Sequence, residues 1–539
     1  MTLKTPVNPV DAVIIGAGFS GLYMLHRLRE LGCKTRLFDA ADGVGGTWYW
    51  NRYPGARCDS ESHYYCYSFS ESIRNEWKWS CRYPSQPEIL KYLNFVADRL
   101  DLMKDIELGV RMVGGSYDEK ARHWIVETDK GEVVHTRFLI TGVGNTSTPA
   151  SPAIPELEHF SGDIYHTARW PHEKVDFSGK KVGIVGTGSS GIQSIPVIAK
   201  EAGRLTVFQR TANYSVPARN HDLTDAMREE QNESFEEWRK LVLASPIGMP
   251  FELPTVSALE ESPEQQKARL EKLWEIGGFR FMFTSYTDIT LDRDANAVVA
   301  NFIAEKIREK VKDPHTADIL CEFNHPVGTK RPPIDTDYYE TFNRDNVFIE
   351  SLRSNPIKQA TTDGLLMANG AYHELDALVF ATGFDTVTGT ILKLNLRGRS
   401  GQLLSDKWRD GPRAYLGICS EGFPNLFMIT GPGSPAILTN FPGCIEQHVD
   451  WITDVIKKMR DTDSIEFEAT ATAESEWLER IAADVEGNLL TTVDSWYMNS
   501  NLPGKPRVFT PFLSGMPAYT EICENVANSG YQGFEFKGS

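Results

Sequence analysis

The feature that most constrains this chain is a glycine-rich pattern that occurs twice between an apolar strand and a helix. The first copy, GAGFSG at residues 16–21, follows an apolar run at residues 10–15 and precedes leucines at helical spacing. The second copy, GTGSSG at residues 186–191, follows a similar run at residues 181–185. In this setting the glycines let the backbone approach a pyrophosphate at a helix N-terminus. The sequence therefore predicts an α/β protein with two Rossmann-like dinucleotide-binding units.

The two copies differ where their second strand ends. In the first copy the strand at residues 35–38 leads to Asp39, whereas in the second the strand at residues 205–208 leads to Arg210 and Thr211. A carboxylate accepts hydrogen bonds from ribose hydroxyls and repels a 2′-phosphate, whereas an arginine pairs with that phosphate. We therefore expect FAD or NAD at the first site and NADP at the second.

Length and charge narrow the class of protein. The chain has 539 residues, too many for one hydrophobic core, and 41% of them are hydrophobic, as in a globular protein. A formal net charge of −17 argues against nucleic acid or an anionic membrane surface as the main partner. No apolar run is long enough to span a bilayer, and the polar, proline-containing start does not resemble a secretory signal.

Cysteine usage points to a reduced compartment, and histidine usage bears on metal binding. The 8 cysteines include no CxxC pair, so we expect free thiols in a cytoplasmic protein. A flavin-dependent disulfide reductase is disfavoured for the same reason, because it needs a closely spaced redox pair. The 12 histidines form no ligand cluster, so no metal site is expected. We expect a monomer whose partners are small molecules.

The stretch at residues 222–315 is rich in charged residues and glutamine and shows helical spacing at residues 234–242, 263–274 and 295–311. This indicates a helical insertion, which we expect to cover the nucleotide units rather than to contribute a catalytic element. An apolar strand returns late, at residues 375–380. Because it returns so late, the domains are expected to be discontinuous in sequence.

The expected domain limits follow from this organisation. The FAD-binding domain is expected to comprise residues 1–150 and 386–539. The NADP-binding domain is expected to comprise residues 151–221 and 331–385, with the helical insertion at residues 222–330.

Two longer patterns narrow the chemistry. The segment FSGDIYHTARWP at residues 160–171 resembles the FxGxxxHxxxW(P/D) signature of type I Baeyer–Villiger monooxygenases at every position. Residues 45–59 are similar to that family's second pattern, GGxWxxxxYPGxxxD. ATGF at residues 381–384 resembles a weaker motif shared by flavin monooxygenases. The stretch at residues 431–440 is similar to the phenylacetone and steroid monooxygenase branch.

The resemblance implies the architecture of a class B flavoprotein monooxygenase and a ketone-oxidising activity. In this family FAD is reduced by NADPH and reacts with O2, and the resulting C4a-peroxyflavin converts a ketone into an ester or a lactone. Arg331 matches the residue that stabilises the anionic oxygen species, a role that suits a guanidinium because it keeps its charge. Asp59 matches the carboxylate that holds this arginine in place.

Fingerprints and resemblance together assign the cofactor contacts. The first fingerprint places FAD contacts at Gly16, Gly18, Ser20, Gly21 and Asp39, and the resemblance adds Thr47, Trp48, Asp59 and Tyr65. The second fingerprint places NADP contacts at Thr187, Gly188, Ser189, Ser190, Gly191, Gln193 and Arg210, and the resemblance adds Thr211, Lys330, Arg331 and Trp496.

Two alternatives stay open at the level of sequence. The first is a flavin monooxygenase that oxidises sulfides or amines, which shares the fold and both cofactors; Trp170 and Arg331 favour ketones over it. The second is a non-catalytic nucleotide-binding sensor, which the presence of Asp59 and Arg331 disfavours. We interpret His166 as a structural residue that couples movement between the nucleotide units, because no triad spacing surrounds it.

Overall fold

The strands belong to two main sheets and three small ones. The structure is a computed structural model that describes residues 9–538. The strands are β1 Val10–Ile15, β2 Thr35–Phe38, β3 Ile106–Glu107, β4 Met112–Asp118, β5 His123–Thr128, β6 Val133–Thr141, β7 Asp163–His166, β8 Lys181–Val185, β9 Arg204–Gln209, β10 Val216–Pro217, β11 Ile334–Asp335, β12 Val347–Ser351, β13 Ile357–Thr361, β14 Gly364–Met367, β15 Tyr372–Glu374, β16 Ala377–Phe380, β17 Leu396–Arg397, β18 Leu426–Met428, β19 Glu466–Ala469 and β20 Phe534–Lys537.

The helices lie between these strands and in one long insertion. They are α1 Phe19–Glu30, α2 Thr47–Trp50, α3 Glu71–Glu76, α4 Gln86–Arg99, α5 Ser189–Glu201, α6 Asp225–Glu233, α7 Phe235–Ala244, α8 Pro263–Ile276, α9 Phe279–Phe283, α10 Arg293–Lys310, α11 Pro314–Leu320, α12 Tyr338–Thr341, α13 Gly389–Leu392, α14 Leu404–Lys407, α15 Phe441–Asp461, α16 Ala471–Asp484 and α17 Gly515–Asn528.

The first main sheet contains the first glycine fingerprint. Its order is β17-β4-β5-β6-β1-β2-β3, and β18 also pairs with β6. The pairs β1–β2, β1–β6 and β6–β18 are parallel, so their carboxyl ends lie at one edge. Helix α1 packs on this sheet because Leu22, Leu25 and Leu28 recur at helical spacing and are fully buried. The helix ends just before Gly32, which adopts a φ of 69°.

The second main sheet contains the second fingerprint and is entirely parallel. Its order is β12-β9-β8-β16-β7. Strand β16 lies between β8 and β7, which confirms the late return of a strand, although this strand begins at Ala377 rather than at residue 375. The edge strand β7 lies within the FxGxxxHxxxWP signature, so that signature is anchored to the second unit through the pairing of His166 with Phe380.

The C-terminal part of the chain returns to the first sheet. Strand β17 pairs with β4, and α15 packs on α1, where the Tyr23 hydroxyl donates to Asp450 at 2.8 Å. The first sheet therefore takes its strands from residues 10–141 and 396–428, and the second from residues 163–380. Both units are discontinuous or interrupted in sequence, while the domain limits themselves stay a prediction.

Six helices, α6 to α11, form the insertion. Helices α7, α8 and α10 cover the three segments for which helical spacing is predicted. Helix α8 begins with a capping box between Ser262 and Gln265, and Gly277 follows its last residue. The short parallel pair β10–β11 joins the two ends of the insertion, three residues after Arg331. The base of the insertion is therefore fixed beside this arginine.

The structure also bears on membrane-spanning helices and on disulfide bonds. Within residues 9–538, no helix combines the length and the apolarity that crossing a membrane requires. All 8 cysteines are unpaired, in agreement with the expected free thiols. The compartment itself stays a prediction.

Candidate active site between the two nucleotide units

An ion pair between Arg331 and Asp59 lies where the two units meet. Arg331 Nε donates to Asp59 Oδ2 at 2.6 Å, and Nη2 donates to Oδ1 at 3.0 Å. The two side chains are 17% and 26% exposed, so the pair is partly shielded from water. Two parallel hydrogen bonds fix the plane of the guanidinium as well as its position. The structure thus brings together the two residues to which the family resemblance assigns catalytic roles.

The surroundings of this pair keep Arg331 charged. Burial acts to lower the pKa of Arg331, but the charge and the hydrogen bonds of Asp59 outweigh it and raise the pKa. Burial raises the pKa of the nearby Tyr497 to about 12, and it raises the pKa of the Cys58 thiol. Both neighbours are therefore neutral near pH 7. Among these three groups, Arg331 is therefore the one that is charged.

The helical insertion contributes Phe279, a residue that sequence reasoning missed. The Arg331 guanidinium lies 4.6 Å from the centre of the Phe279 ring, which is buried. Gly277 and Gly278 precede this residue with φ values of 70° and 63°. A Cβ at Gly278 would lie 1.9 Å from the Tyr83 hydroxyl, so only glycine lets α9 begin here. The insertion therefore packs against the candidate catalytic arginine, and the expectation that it contributes no catalytic element stays a prediction.

The first fingerprint forms a narrow turn that a dinucleotide backbone fits. A Cβ at Gly21 would lie 1.7 Å from Gly16 O, and one at Gly16 would lie 2.5 Å from Gly142 O. Gly18 faces Gly46, whose own Cβ would lie 2.9 Å from Gly18 Cα. Helix α1 begins without a side-chain cap, so its first N–H groups are free for a ligand. Glycine is needed at these positions because backbone approaches backbone.

Asp39 lies at the end of β2 beside this turn. Its carboxylate accepts hydrogen bonds from the backbone N–H groups of Ala17 at 2.6 Å and Ala41 at 2.8 Å. Burial raises the pKa of Asp39, and these two hydrogen bonds counter part of the shift. Each carboxylate oxygen can accept a second hydrogen bond, which leaves room for ribose hydroxyls.

The other residues assigned to the first site lie in α1, in the GGTW turn and beside that turn. Trp48 Nε1 donates to the Tyr65 hydroxyl at 3.1 Å, which fixes both rings. Ser20 is buried in α1, and Thr47 begins α2. Asn51 Nδ2 donates to Thr47 O at 2.9 Å, but Asn51 Oδ1 is buried without a partner. A buried acceptor without a donor fits a site that a polar ligand completes.

The second fingerprint leaves an open cradle. A Cβ at Gly191 would lie 2.2 Å from Gly186 O, whereas one at Gly188 would meet no atom within 4 Å. Helix α5 also begins without a side-chain cap, and Ser189 is exposed at its first position. The N-terminus of α5 therefore lacks a side-chain cap and adjoins open space at Gly188, as an anion site requires.

The hydroxyl groups of the second fingerprint mostly bind the protein. Thr187 Oγ1 donates to Thr211 O at 2.8 Å. Ser190 Oγ accepts from Thr167 Oγ1 at 3.1 Å, which ties the fingerprint to the FxGxxxHxxxWP signature. These contacts shape the cradle, and the backbone is left to meet the ligand.

Arg210 and Lys330 form a cationic end to the second site. Arg210 is exposed at the end of β9, and Lys330 is half-buried beside it. Burial lowers the pKa of Lys330, and repulsion by Arg210 adds to that effect. Neither residue belongs to a salt bridge in the part of the chain that the structure describes. The charge of Asp494 acts in the opposite direction on the pKa of Lys330, but Asp494 forms no salt bridge with it. Two neighbouring cations without a carboxylate at salt-bridge distance suit a phosphate group.

The side chains of Gln193 and Trp496 contact residues outside the cradle that the second fingerprint forms. Gln193 Oε1 accepts from the Tyr53 hydroxyl at 2.8 Å, and Gln193 Nε2 donates to Arg57 O at 3.1 Å. Its side chain therefore contacts the loop that leads to Asp59. The Trp496 ring stacks on Tyr497 at 5.4 Å between ring centres, which places it next to a neighbour of Arg331.

His166 joins three segments at the junction of the units. Its Nδ1 accepts from the Ala168 N–H at 3.0 Å, and its Nε2 lies 3.2 Å from both Ala150 O and Thr382 Oγ1. An accepting Nδ1 assigns the proton to Nε2, so the ring is neutral. Burial lowers the pKa of His166 in agreement with this assignment. The contacts are structural, although the proposed coupling of movement stays a prediction.

The other signature residues also pack rather than react. Trp170 is buried against Tyr165 and Phe177, with ring centres 5.3 and 6.2 Å away. A Cβ at Gly162 would lie 2.5 Å from Asp376 O, so glycine is needed where the signature approaches the second sheet. The signature thus marks the junction between the units.

Residues 14–77 match the model of an NAD(P)-binding Rossmann-like domain. The chain is 43% identical over 526 residues to a phenazine N-monooxygenase of Lysobacter antibioticus, which covers 97% of this chain and 96% of that protein. It is 40% identical over 529 residues to a cyclohexanone 1,2-monooxygenase of Acinetobacter, which covers 98% and 96%.

Among solved structures, an oxidised steroid monooxygenase bound to NADP superimposes with a TM-score of 0.94. It is 47% identical to this chain and covers 99% of it and 100% of its own length. The chain belongs to the Baeyer–Villiger monooxygenase family. Identity to the steroid monooxygenase exceeds the 40% identity to the Acinetobacter cyclohexanone monooxygenase, in agreement with the predicted branch of the family.

The His166 contacts predict a pH effect. A histidine whose pKa is lowered on folding stabilises the protein while it is neutral, and this contribution is lost as the pH falls below about 6.5. Wild type should therefore lose more thermal stability than His166→Gln between about pH 7 and about pH 5.5. Parallel pH profiles of the unfolding temperature for the two proteins would contradict this.

Proposed function

We propose that this protein uses NADPH and O2 to insert an oxygen atom into a ketone, with Arg331 as the catalytic cation and Asp59 as its positioning partner. The overall reaction consumes the ketone, O2, NADPH and a proton and yields an ester or lactone, NADP+ and water. The observation that carries the proposal is the two-point ion pair between these residues at the junction of two dinucleotide sites.

The residues around the first site fit FAD. FAD suits the first site because Gly18, Gly46 and free α1 N–H groups surround a slot, and because Asp39 accepts hydrogen bonds at its ribose end. Asn51 Oδ1 remains a buried acceptor there. When bound, FAD supplies electron transfer from NADPH to O2 and carries the activated oxygen.

Arg331 supplies a fixed positive charge where negative charge develops on oxygen. Its raised pKa keeps it protonated throughout the working pH range. Its Nε and Nη2 atoms donate to Asp59, which leaves donors on Nη1 and the second hydrogen of Nη2 for a substrate oxygen. A cation held in advance needs no reorganisation during reaction, and partial burial strengthens its effect.

Apolar residues near this cation suit a ketone with a sizeable hydrocarbon part. Ile437 and Tyr497 belong to one buried cluster, which Leu438 and Phe441 join from its edge. Ile437 and Leu438 belong to the segment at residues 431–440 that resembles the phenylacetone and steroid monooxygenase branch, and Phe441 follows it directly. Tyr497 interacts with Arg331, so the apolar wall and the cation border the same region.

Removing the cation should separate the two halves of the reaction. Arg331→Ala should leave NADPH-dependent flavin reduction within about threefold of wild type, while ester formation falls by about 100-fold or more. Anaerobic stopped-flow absorbance measures the first step, and gas chromatography of the product measures the second. Arg280→Ala, on the same helix as Phe279, is the matched arginine control and should retain more ester formation. Ester formation at the wild-type rate by Arg331→Ala would refute the role.

Cofactor choice should depend on the cationic end of the second site. Arg210→Ala should lower the ratio of kcat/KM for NADPH to that for NADH by about 10- to 100-fold, as expected when one charge-assisted contact to a phosphate is lost. Arg204→Ala changes an exposed arginine at the opposite end of the same strand and should leave the ratio unchanged. An unchanged ratio in Arg210→Ala would remove the proposed 2′-phosphate contact.

Oxidation of nitrogen is the second candidate function, and the phenazine N-monooxygenase relative favours it. Attack on a ketone places a developing negative charge on the carbonyl oxygen, and this charge needs the Arg331 cation directly. Oxidation of nitrogen forms no carbonyl oxyanion, so the two candidates differ in how they use Arg331. Purified protein should be offered linear, aryl and bulky ketones in parallel with aromatic amines and sulfides, with NADPH consumption and products measured. We expect ester or lactone from at least one ketone class at a higher rate than any N-oxide. Only N-oxide products would make nitrogen oxidation the main activity.

A further inference from the structure

Gln193 belongs to the second unit, and its side chain forms hydrogen bonds with the loop at residues 53–59. Its Oε1 accepts from the Tyr53 hydroxyl at 2.8 Å and from the Arg57 N–H at 3.3 Å. Its Nε2 donates to Arg57 O at 3.1 Å. The side-chain amide thus pairs with both backbone groups of Arg57, in the manner of a neighbouring strand. This uses the acceptor and one of the two donors that a glutamine offers.

The loop is shaped to receive this side chain. Gly55 adopts a φ of 83°, and a Cβ there would lie 2.3 Å from Gln193 O. Any other residue would push the loop away from α5. On the opposite side, Arg57 pairs with Ser85, and the Cys58 N–H donates to Pro84 O at 3.0 Å. The loop therefore lies between a helix of the second unit and a segment of the first.

This loop ends at the residue that holds Arg331. Asp59 follows Arg57 by two residues. Burial raises the pKa of Tyr53 at the start of the loop, and the negative charge of the nearby Asp59 adds to this shift. A displacement of Arg57 is therefore passed along two peptide units to the carboxylate. Because Asp59 binds Arg331 through two hydrogen bonds of 2.6 and 3.0 Å, a small shift misaligns both.

We infer that Gln193 is a positioning residue, which acts through Tyr53 and Arg57 to fix Asp59 and thereby Arg331. The inference rests on the proposed role of Arg331. Gln193 lies one turn into α5, whose first turn forms the open cradle around Gly188. The same helix therefore meets the nucleotide with its backbone and the Asp59 loop with this side chain. Gln193 links the placement of the nucleotide-binding helix to that of the cation.

The test compares variants in the FAD-loaded enzyme by three measurements: the dissociation constant of NADP+, hydrogen exchange of the peptide at residues 53–59, and ester formed per NADPH oxidised. Gln193→Ala should speed exchange of that peptide by about tenfold and lower the ester yield by about threefold or more, with the missing product appearing as hydrogen peroxide. Its NADP+ dissociation constant should stay within about twofold of wild type, because the backbone forms the cradle.

Partial and unrelated variants sharpen the result. Gln193→Glu still accepts from Tyr53 and the Arg57 N–H but cannot donate to Arg57 O when ionised, so its yield should fall between those of Gln193→Ala and wild type. Tyr53→Phe removes one contact, and its effect on yield should shrink in the Gln193→Ala background. Lys200→Ala, an exposed residue on the same helix, should match wild type in all three measurements.

The outcomes separate this inference from the proposed function. A dissociation constant for NADP+ raised about tenfold with normal ester yield would make Gln193 a nucleotide contact instead. A lower unfolding temperature with normal yield and exchange would make its role merely structural. Either result overturns the inference while Arg331→Ala still loses ester. If Arg331→Ala itself keeps wild-type yield, the proposed function fails and the inference fails with it.

Discussion

The ion pair between Arg331 and Asp59 connects the loop of the first unit to the base of the helical insertion. The two residues are 272 positions apart in sequence and come from segments that belong to different units. A partly buried charge is tolerated only while its partner is present, since removing one partner leaves the other uncompensated. The loop that carries Asp59, the base of the insertion at β10–β11 and the start of α9 must therefore all be in place at once.

Sequence reasoning succeeded where the cause of a structure is local. Both fingerprints were predictable because glycine is required within a few residues of each turn, at Gly16, Gly21, Gly186 and Gly191, where backbone meets backbone. The contrast between Asp39 and Arg210 was predictable from the charge that follows a strand. The partnership of Arg331 with Asp59 came only from resemblance, because no local pattern connects residues so far apart.

What sequence reasoning missed depends on tertiary packing. Nothing near Phe279 indicates that its ring lies under a guanidinium, although the pair Gly277-Gly278 signals an unusual backbone there. Gln193 follows a phosphate-binding pattern in sequence, and its position after that pattern suggested a nucleotide contact. Its hydrogen bonds to the Tyr53 loop could not be foreseen, because they depend on the packing of the two units, and its contact with a nucleotide stays a prediction.

The return of the C-terminal segment to the first sheet affects how the chain is synthesised. Strand β18 and helix α15 complete the unit that β1 and α1 begin, so that unit stays unfinished until residue 461 of 539 has been synthesised. The second sheet ends at Phe380 and has all its strands before then. During synthesis the unit built on the second sheet is therefore the first that can fold completely. The unit built on the first sheet must keep its exposed apolar surface protected until α15 has been synthesised.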